Sequence, residues 1–289
     1  MLVLLTFGCG IKMGHWVKKS DLQKDVLLKT ALGEIVIRLS DKTPKHRDNF
    51  IQLVNQGFYN DIAFHRVIEN FLVQTGDPGT RAKPSKVSEI PYTLPAELHP
   101  SLFHKRGALN AARMGDDQNP EQASSGTQFT IIQGKIYTDS TLAIAENRIN
   151  NWLAYNKIIN LPAHQPEFMA YSNLLKQLDT LGPSKNDSQN NIAANVALRA
   201  NLIKTRLDSL AKLELNQMTR YTYPKSHREL YKTMGGAAHL DRNYVVFGAV
   251  VQGMEVVDRI AAVQTDSLDK PITDIRILSA KMIARKAYR

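Results

Sequence analysis

The stretch FHRVIENFLVQTGDP, at residues 64–78, combines two short apolar runs with one arginine, one glutamine and a closing Gly-Asp-Pro turn signal. We expect β-type segments at 63–68 and 71–74, because apolar and β-branched residues dominate both runs and turn-forming residues separate them. An arginine such as Arg66 in an isolated strand is usually a solvated surface residue. The stretch therefore has to be interpreted together with the segments around it.

The flanking segments have the pattern of a small β domain. Further β-type segments are predicted at 26–39, as a hairpin, and at 127–133, 244–251 and 272–282. Amphipathic helices are predicted at 44–56, where Thr43 supplies an N-cap before Pro44, and at 254–262. Many short strands with only two modest helices indicate a closed barrel.

The block at 138–235 has a different periodicity. Apolar residues recur there at helical spacing, as in Phe168, Tyr171 and Leu175, and an exposed loop is expected at 182–188. The strands on either side need each other to close a sheet, so this helical block is interpreted as an insertion. Its apolar stripes are expected to form its own core or a packing seam, and the alternative is a binding arm.

Three groups of residues together resemble the signatures of the cyclophilin family. They are residues 64–78, then GALNAAR at 107–113 with SGTQF at 125–129, then HLD at 239–241 with YVVFG at 244–248. They occur in the family's order, and with flanking elements the resemblance covers about 25–133 and 235–283. It implies a peptidyl-prolyl cis/trans isomerase. The implied fold class is mainly β, a closed antiparallel eight-stranded barrel capped by two helices, with an α-helical insertion.

The resemblance and the change of periodicity together predict how the chain is divided. The predicted parts are an N-terminal signal remnant or linker at 1–24, the first part of the barrel at 25–137, the helical insertion at 138–235, the second part of the barrel at 236–284 and a tail at 285–289. The insertion therefore leaves and re-enters the barrel between two segments that the resemblance assigns to the groove.

The same resemblance implies a proline-binding site. Arg66 would be the catalytic arginine, Phe71 would line the proline pocket and Gln74 would hydrogen-bond the substrate backbone. The other substrate-binding residues would be Leu72, Ala112, Arg113, Gln128, Thr130, His239, Leu240 and Tyr244. Thr130 and His239 depart from the family's pattern. Thr130 replaces an aromatic ring at the pocket base, and the loss of about 1–3 kcal/mol of apolar contact predicts weakened proline binding.

The chemistry of prolyl isomerisation explains why these residue types are sufficient. Rotation about a peptide bond crosses about 18–20 kcal/mol, because amide resonance is lost in the twisted state. The prolyl nitrogen gains a lone pair on twisting, and an arginine, always charged and with a fixed fork of donors, can approach it. No covalent bond is broken, so we expect no cofactor and no metal. The spacing of His65, His99, His104 and His239 fits no zinc motif.

Composition restricts the partners only weakly. The formal net charge is +10 and the sequence pI is about 9.6, but lysine and arginine are dispersed among acidic residues. We therefore expect no nucleic-acid partner, and expect proline-containing polypeptide clients instead. A proline-peptide-binding chaperone or interaction module with little turnover is the alternative function, because Thr130 weakens the pocket. The sequence leaves the oligomeric state open.

The N-terminal residues suggest export. Met1 to Gly8 are mostly apolar and are followed by Cys9, the only cysteine, as at a bacterial lipoprotein cleavage site where the cysteine is lipidated. We expect a periplasmic or cell-envelope protein, with a possible membrane tether through lipidated Cys9. The alternative is a cytoplasmic protein with a frayed N-terminus.

Overall fold

The computed structural model describes residues 17–83, 91–182 and 187–288. The strands of this part are β1 (Lys24–Thr30), β2 (Gly33–Leu39), β3 (Arg66–Ile68), β4 (Leu72–Thr75), β5 (Thr93–Leu94), β6 (Ala108–Ala111), β7 (Ser124–Ser125), β8 (Phe129–Ile132), β9 (Val246–Gln252) and β10 (Ile277–Ala284). The helices are α1 (Pro44–Asn55), α2 (Asp139–Asn160), α3 (Gln165–Leu181), α4 (Asp187–Gln217), α5 (Lys225–Thr233) and α6 (Met254–Ala261). Eight strands form one antiparallel sheet in the order β10-β1-β2-β9-β6-β8-β4-β3, and β5 pairs with β7.

The large sheet curls until its two edges approach each other. The backbone N–H of Phe64 donates to the carbonyl of Ile275 at 2.8 Å, and the N–H of Ile277 donates to the carbonyl of Ile62 at 2.9 Å. The segment just before β3 and the start of β10 therefore join the two edges. The predicted fold class, a mainly β eight-stranded antiparallel barrel with two capping helices and a helical insertion, is confirmed.

The start of the closing strand differs from the prediction. The closing strand begins at Ile277 rather than at 272. The carboxylate of Asp266 accepts hydrogen bonds from the backbone N–H groups of Leu268 and Lys270, at 2.8 and 3.0 Å. This turn lies just before the predicted strand and reverses the chain. The backbone N–H of Ile272 therefore donates to the carbonyl of Gln264 at 3.0 Å instead of continuing the closing strand. Both capping helices, α1 and α6, match their predicted spans to within one residue.

Thr43 occupies the N-cap position of α1, as predicted, but it does not supply the capping hydrogen bond. The carboxylate of Glu97 accepts the backbone N–H groups of Lys45 and His46 instead, at 3.1 and 3.0 Å. A negative group there also offsets the positive end of the helix dipole. A residue distant in sequence therefore caps α1.

The interior of the barrel is apolar and aromatic. Phe50 of α1 lies edge-on to Phe129 and Phe247, with ring centres 5.1 and 5.4 Å apart. Val257 of α6 is fully buried in the same cluster, so each of the two capping helices contributes to one core. Aromatic rings prefer this edge-to-face arrangement, which adds to the free energy gained by burial.

The helical block has a core of its own. Ile159 of α2 and Leu207 of α4 are fully buried together with Phe168 and Tyr171 of α3, the residues of the predicted stripe. This confirms that the stripe is core. The boundaries at which the chain divides into domains remain a prediction.

A polar junction joins the helical block to the barrel. Asp241 is buried, and its two oxygens accept hydrogen bonds from the Tyr231 hydroxyl of α5 and from the backbone N–H of His104, at 2.8 and 2.9 Å. The ring Nδ1 of His104 lies 2.8 Å from the same carboxylate. A buried carboxylate needs such donors, so this contact specifies how α5 sits on the barrel.

Two expectations concern residues outside the described part of the chain. Cys9, with the predicted signal remnant and lipidation site, lies there, as does most of the loop predicted at 182–188. Among the helices that the structure describes, we find none with the length and hydropathy of a membrane span.

We predict that Tyr231→Phe destabilises the protein by about 1.5–3 kcal/mol, because a hydrogen bond to a buried carboxylate is lost. Urea unfolding followed by circular dichroism measures the change. Tyr221→Phe is the matched control, since the Tyr221 hydroxyl makes no hydrogen bond within the described residues, and it should cost much less. Equal costs for the two substitutions would contradict the importance of the Asp241 junction.

Candidate active site

A cavity of about 350 Å³ opens on the outer face of the sheet. Ten of the predicted site residues line it: Arg66, Phe71, Leu72, Gln74, Ala112, Arg113, Thr130, His239, Leu240 and Tyr244. Three further residues complete the lining: Asn110, Arg148 and Trp152. The structure thus brings together residues that are up to 178 positions apart in the chain.

Strand register explains how the polar residues meet. Arg66 on β3 pairs directly with Gln74 on β4, Gln74 pairs with Thr130 on β8, and Thr130 pairs with Asn110 on β6. Directly paired residues of neighbouring strands place their side chains on the same face of a sheet. One polar row therefore crosses four strands on the outer face, and we call it the site row.

Arg66 stands at the edge of the site row. Its side chain is 42% exposed, and its Nε lies 3.6 Å from a carboxylate oxygen of Asp269. The backbone reinforces this neighbourhood, because the N–H of Val67 donates to the carbonyl of Asp269 at 2.8 Å. Such an exposed, long ion pair is weak, so the guanidinium can still donate to a ligand in the cavity.

Gln74 is held in place by Gln128. The Nε2 of Gln74 donates to the Oε1 of Gln128 at 3.1 Å. The carbonyl of Gln128 in turn accepts the N–H of Ala112 at 3.0 Å, which ties the segment after β6 to the same corner. Gln128 thus lies beside the cavity and orients Gln74.

One wall of the cavity is apolar. Leu72 and Leu240 are almost fully buried in a cluster that Phe71 and Tyr244 cover. The ring of His239 lies over Phe71, with 5.3 Å between the ring centres and 31° between the planes. Burial, followed by the positive charge of Arg148, lowers the pKa of His239 to about 4. His239 is therefore neutral near pH 7 and is compatible with an apolar wall.

The floor of the cavity is polar. The hydroxyl of Thr130 donates to the Oδ1 of Asn110 at 2.6 Å, and both residues are almost fully buried. A hydrogen-bonded pair thus fills the position where the resemblance implies an aromatic ring. Sequence reasoning missed Asn110, although its position within the GALNAAR segment, opposite Thr130 on the next strand, could have indicated it.

Arg113 directs its charge away from the cavity. Its guanidinium forms an ion pair with Asp116 at 2.7 Å, donates to the carbonyl of Asn243 at 2.7 Å and lies over the Tyr244 ring. The side chain is only 2% exposed. Arg113 therefore supports the wall formed by Tyr244.

Arg148 and Trp152 are the residues that no barrel signature could indicate. Both lie on α2, four positions apart, and reach the cavity from the helical block. The connectivity predicts only that the insertion emerges near the groove. In the described part of the chain, no cluster of three or more His, Cys, Asp or Glu side chains could hold a metal ion.

Comparisons with known proteins identify the family of this chain. The family model described as cyclophilin type peptidyl-prolyl cis-trans isomerase/CLD matches residues 25–154 and 217–282, which is more than half of the chain. The chain belongs to this family. The matched residues omit 155–216, which contain α3 and nearly all of α4.

Individual relatives differ in how much they share with this chain. A protein of Staphylococcus saprophyticus named as a peptidyl-prolyl cis-trans isomerase is 24% identical, over 89% of this chain and 91% of the relative. One of Streptococcus pyogenes, named as a bifunctional phosphatase/peptidyl-prolyl cis-trans isomerase, is 27% identical over 87% of this chain. Peptidyl-prolyl cis-trans isomerase-like 1 of Aspergillus fumigatus is 39% identical over 37% of this chain. The chain spans 37% of the length of the Streptococcus pyogenes relative and 63% of the length of the Aspergillus fumigatus relative.

Among solved structures, a cyclophilin type peptidyl-prolyl cis-trans isomerase of Cryptosporidium parvum aligns over 91% of this chain and 99% of its own chain. The sequence identity is 17% and the TM-score is 0.49.

We predict that acid destabilises this protein partly through His239. Its native pKa, about 4, lies below the unfolded value of about 6.5, so the unfolded chain binds the extra proton between these pH values. Stability is therefore complete above about pH 6.5 and falls as the pH decreases toward 4. His239→Gln should reduce this loss by about 2 kcal/mol.

Urea unfolding at pH 7, 5.5 and 4 measures the effect. Part of the pH dependence should remain, because burial also lowers the pKa values of His46, His65 and His227. An unchanged loss in the His239→Gln variant would contradict the buried, neutral state of this ring.

Proposed function

We propose that this protein accelerates cis/trans rotation about X-Pro bonds of client polypeptides at the cavity on the outer face of the barrel. The observation that carries the proposal is the site row, which places the donors Arg66 and Gln74 beside an apolar wall of Phe71, Leu72 and Leu240. A prolyl ring needs an apolar slot, and a twisting imide needs a fixed donor next to that slot.

The mechanism requires stronger binding of the twisted imide than of either planar form. The apolar wall holds the pyrrolidine ring, and Gln74 holds the backbone beside it. As the bond rotates, the prolyl nitrogen becomes pyramidal and its lone pair accepts a hydrogen bond from Arg66. This contact is absent in the planar states, so it lowers the barrier rather than only the dissociation constant. The bond then returns to planarity as cis or trans, and nothing is transferred.

The client chain can continue beyond the proline pocket. A second cavity, of about 460 Å³, shares Arg113, Trp152 and Tyr244 with the first. Its remaining lining comes mainly from α2, α4 and the segment around Asp116. A cleft between the barrel and the helical block could thus hold residues next to the proline, which is consistent with a polypeptide client.

A second candidate function is a proline-peptide-binding chaperone or interaction module with little turnover. The buried Thr130–Asn110 pair favours it, because a polar floor gives the prolyl ring less apolar contact than an aromatic ring would. We propose that the enzyme retains turnover, since Arg66, Phe71 and Gln74 all lie at the cavity. We also propose that the protein is located in the cell envelope and tethered through a lipidated Cys9, because a mostly apolar segment precedes that cysteine.

We predict that Arg66→Ala lowers kcat/KM roughly 100- to 1,000-fold, the usual effect of removing a donor aimed at a transition state. A protease-coupled assay on an Ala-Pro peptide measures it. Arg66→Lys keeps the charge but loses the fork of donors, and it should recover only part of the activity. Equal activity of the native protein and Arg66→Ala would favour the binding module.

We predict that the double variant Asn110→Ala, Thr130→Phe binds an Ala-Pro peptide about tenfold more tightly, because the new ring adds about 1.4 kcal/mol of apolar contact. Removing the Asn110 side chain provides space for the ring and leaves no amide unpaired. Titration followed by NMR measures the dissociation constant. Thr130→Val is the control. It removes the donor to the Oδ1 of Asn110 and should destabilise the fold by about 1–3 kcal/mol without improving binding.

A further inference from the structure

The formally charged side chains that line the proline pocket are arginines. Arg66, Arg113 and Arg148 line it, and no Asp or Glu does. Arg66 has Asp269 nearby, and Arg113 is buried in its ion pair with Asp116. Arg148 differs from both, because it is exposed and makes no ion pair or hydrogen bond among the residues that the structure describes. Its positive charge is therefore available to a ligand.

The position of Arg148 is well defined. Its guanidinium carbon lies 4.7 Å from the ring centre of Trp152, one helical turn further along α2. Trp152 lines the proline pocket as well, so this stacking holds the guanidinium at the rim.

The helix that carries Arg148 is anchored next to it. Asn150 is buried, accepts the backbone N–H of Tyr221 at 2.7 Å and donates to the carbonyl of the same residue at 3.0 Å. The adjacent Ile149 is buried in the cluster that joins the helical block to the barrel. The base of the side chain is thus fixed by packing, and less conformational entropy is lost when a ligand binds.

The positive charge of Arg148 affects the electrostatic potential at the apolar wall. After burial, it is the largest contribution that lowers the pKa of His239, whose ring lies against that of Phe71. A carboxylate on a client residue next to the proline and beside Arg148 would therefore lie in a positive potential. The proline pocket itself contains no acidic side chain, since the nearby carboxylates of Asp116, Asp117 and Asp208 line the second cavity instead.

We propose that Arg148 is a specificity-determining residue that binds the carboxylate of a Glu or Asp side chain flanking the client proline. The inference rests on the proposed function and assigns it a substrate class, prolines beside an acidic residue. Because Arg148 is exposed, the preference is modest and depends on salt: about two- to fivefold at low ionic strength, and largely absent at about 0.5 M salt.

Matched peptides test the proposal. The peptides are acetylated, amidated Ala-Xaa-Pro-Ala and Ala-Ala-Pro-Xaa, with Xaa either Glu or its neutral isostere Gln. NMR exchange gives kcat/KM for isomerisation, and titration gives the dissociation constant of each peptide. The native protein should prefer Glu over Gln in at least one of the two positions. Arg148→Gln should bring that ratio to about one, Arg148→Lys should retain part of it and Arg148→Glu should invert it.

Arg199→Gln is the control variant, because Arg199 is an exposed arginine of the same helical block and does not line the cavity. It should change neither the turnover nor the Glu/Gln ratio. A ratio of one in the native protein, or a ratio that Arg148→Gln leaves unchanged, overturns the inference, even while turnover on the Gln peptides shows that the proposed function holds. If the native protein turns over none of the peptides, the proposed function fails, and the dissociation constants alone then decide the charge preference.

Discussion

The register between β3, β4, β8 and β6 is the constraint on which the site depends. One row of directly paired residues, Val67, Val73, Ile131 and Leu109, is buried in the barrel core. The adjacent row, one position along each strand, is the site row on the outer face. A shift of one residue in any pairing would exchange core and site on that strand. The apolar core row therefore fixes the position of Arg66, because burial of Val67 forces the Arg66 side chain outward.

A second constraint acts between the barrel and the helical block. The carboxylate of Asp241 is bonded to Tyr231 of α5 and to His104 of the barrel, and it closely follows the wall residues His239 and Leu240. Burial of this charge is tolerated only while its donors are present. The junction that positions the helical block thus also supports one wall of the cavity. This explains how a helix outside the barrel can contribute residues to a site on it.

Much of the fold follows from short-range patterns. The hairpin, the two capping helices and the helical block all follow from periodicity within single segments, and the structure has them where they are expected. The errors occur where a distant or competing partner decides the outcome. Ile272 bonds to Gln264 instead of joining the closing strand, and Glu97 accepts the capping hydrogen bonds of α1 that were expected of Thr43. Neither interaction leaves a periodic signal, because each depends on a single hydrogen-bonding partner outside the segment.

The sequence by itself determined the family, the barrel and most of the residues at the cavity, because the signature segments are contiguous and each one encodes its own strand or turn. Only the tertiary structure decided the rest of the cavity. Asn110 became part of the site through pairing across strands, and Arg148 and Trp152 reached it through the docking of α2. The physical reason is that contacts between residues far apart in the chain arise from packing and burial of the whole molecule, which no local pattern records.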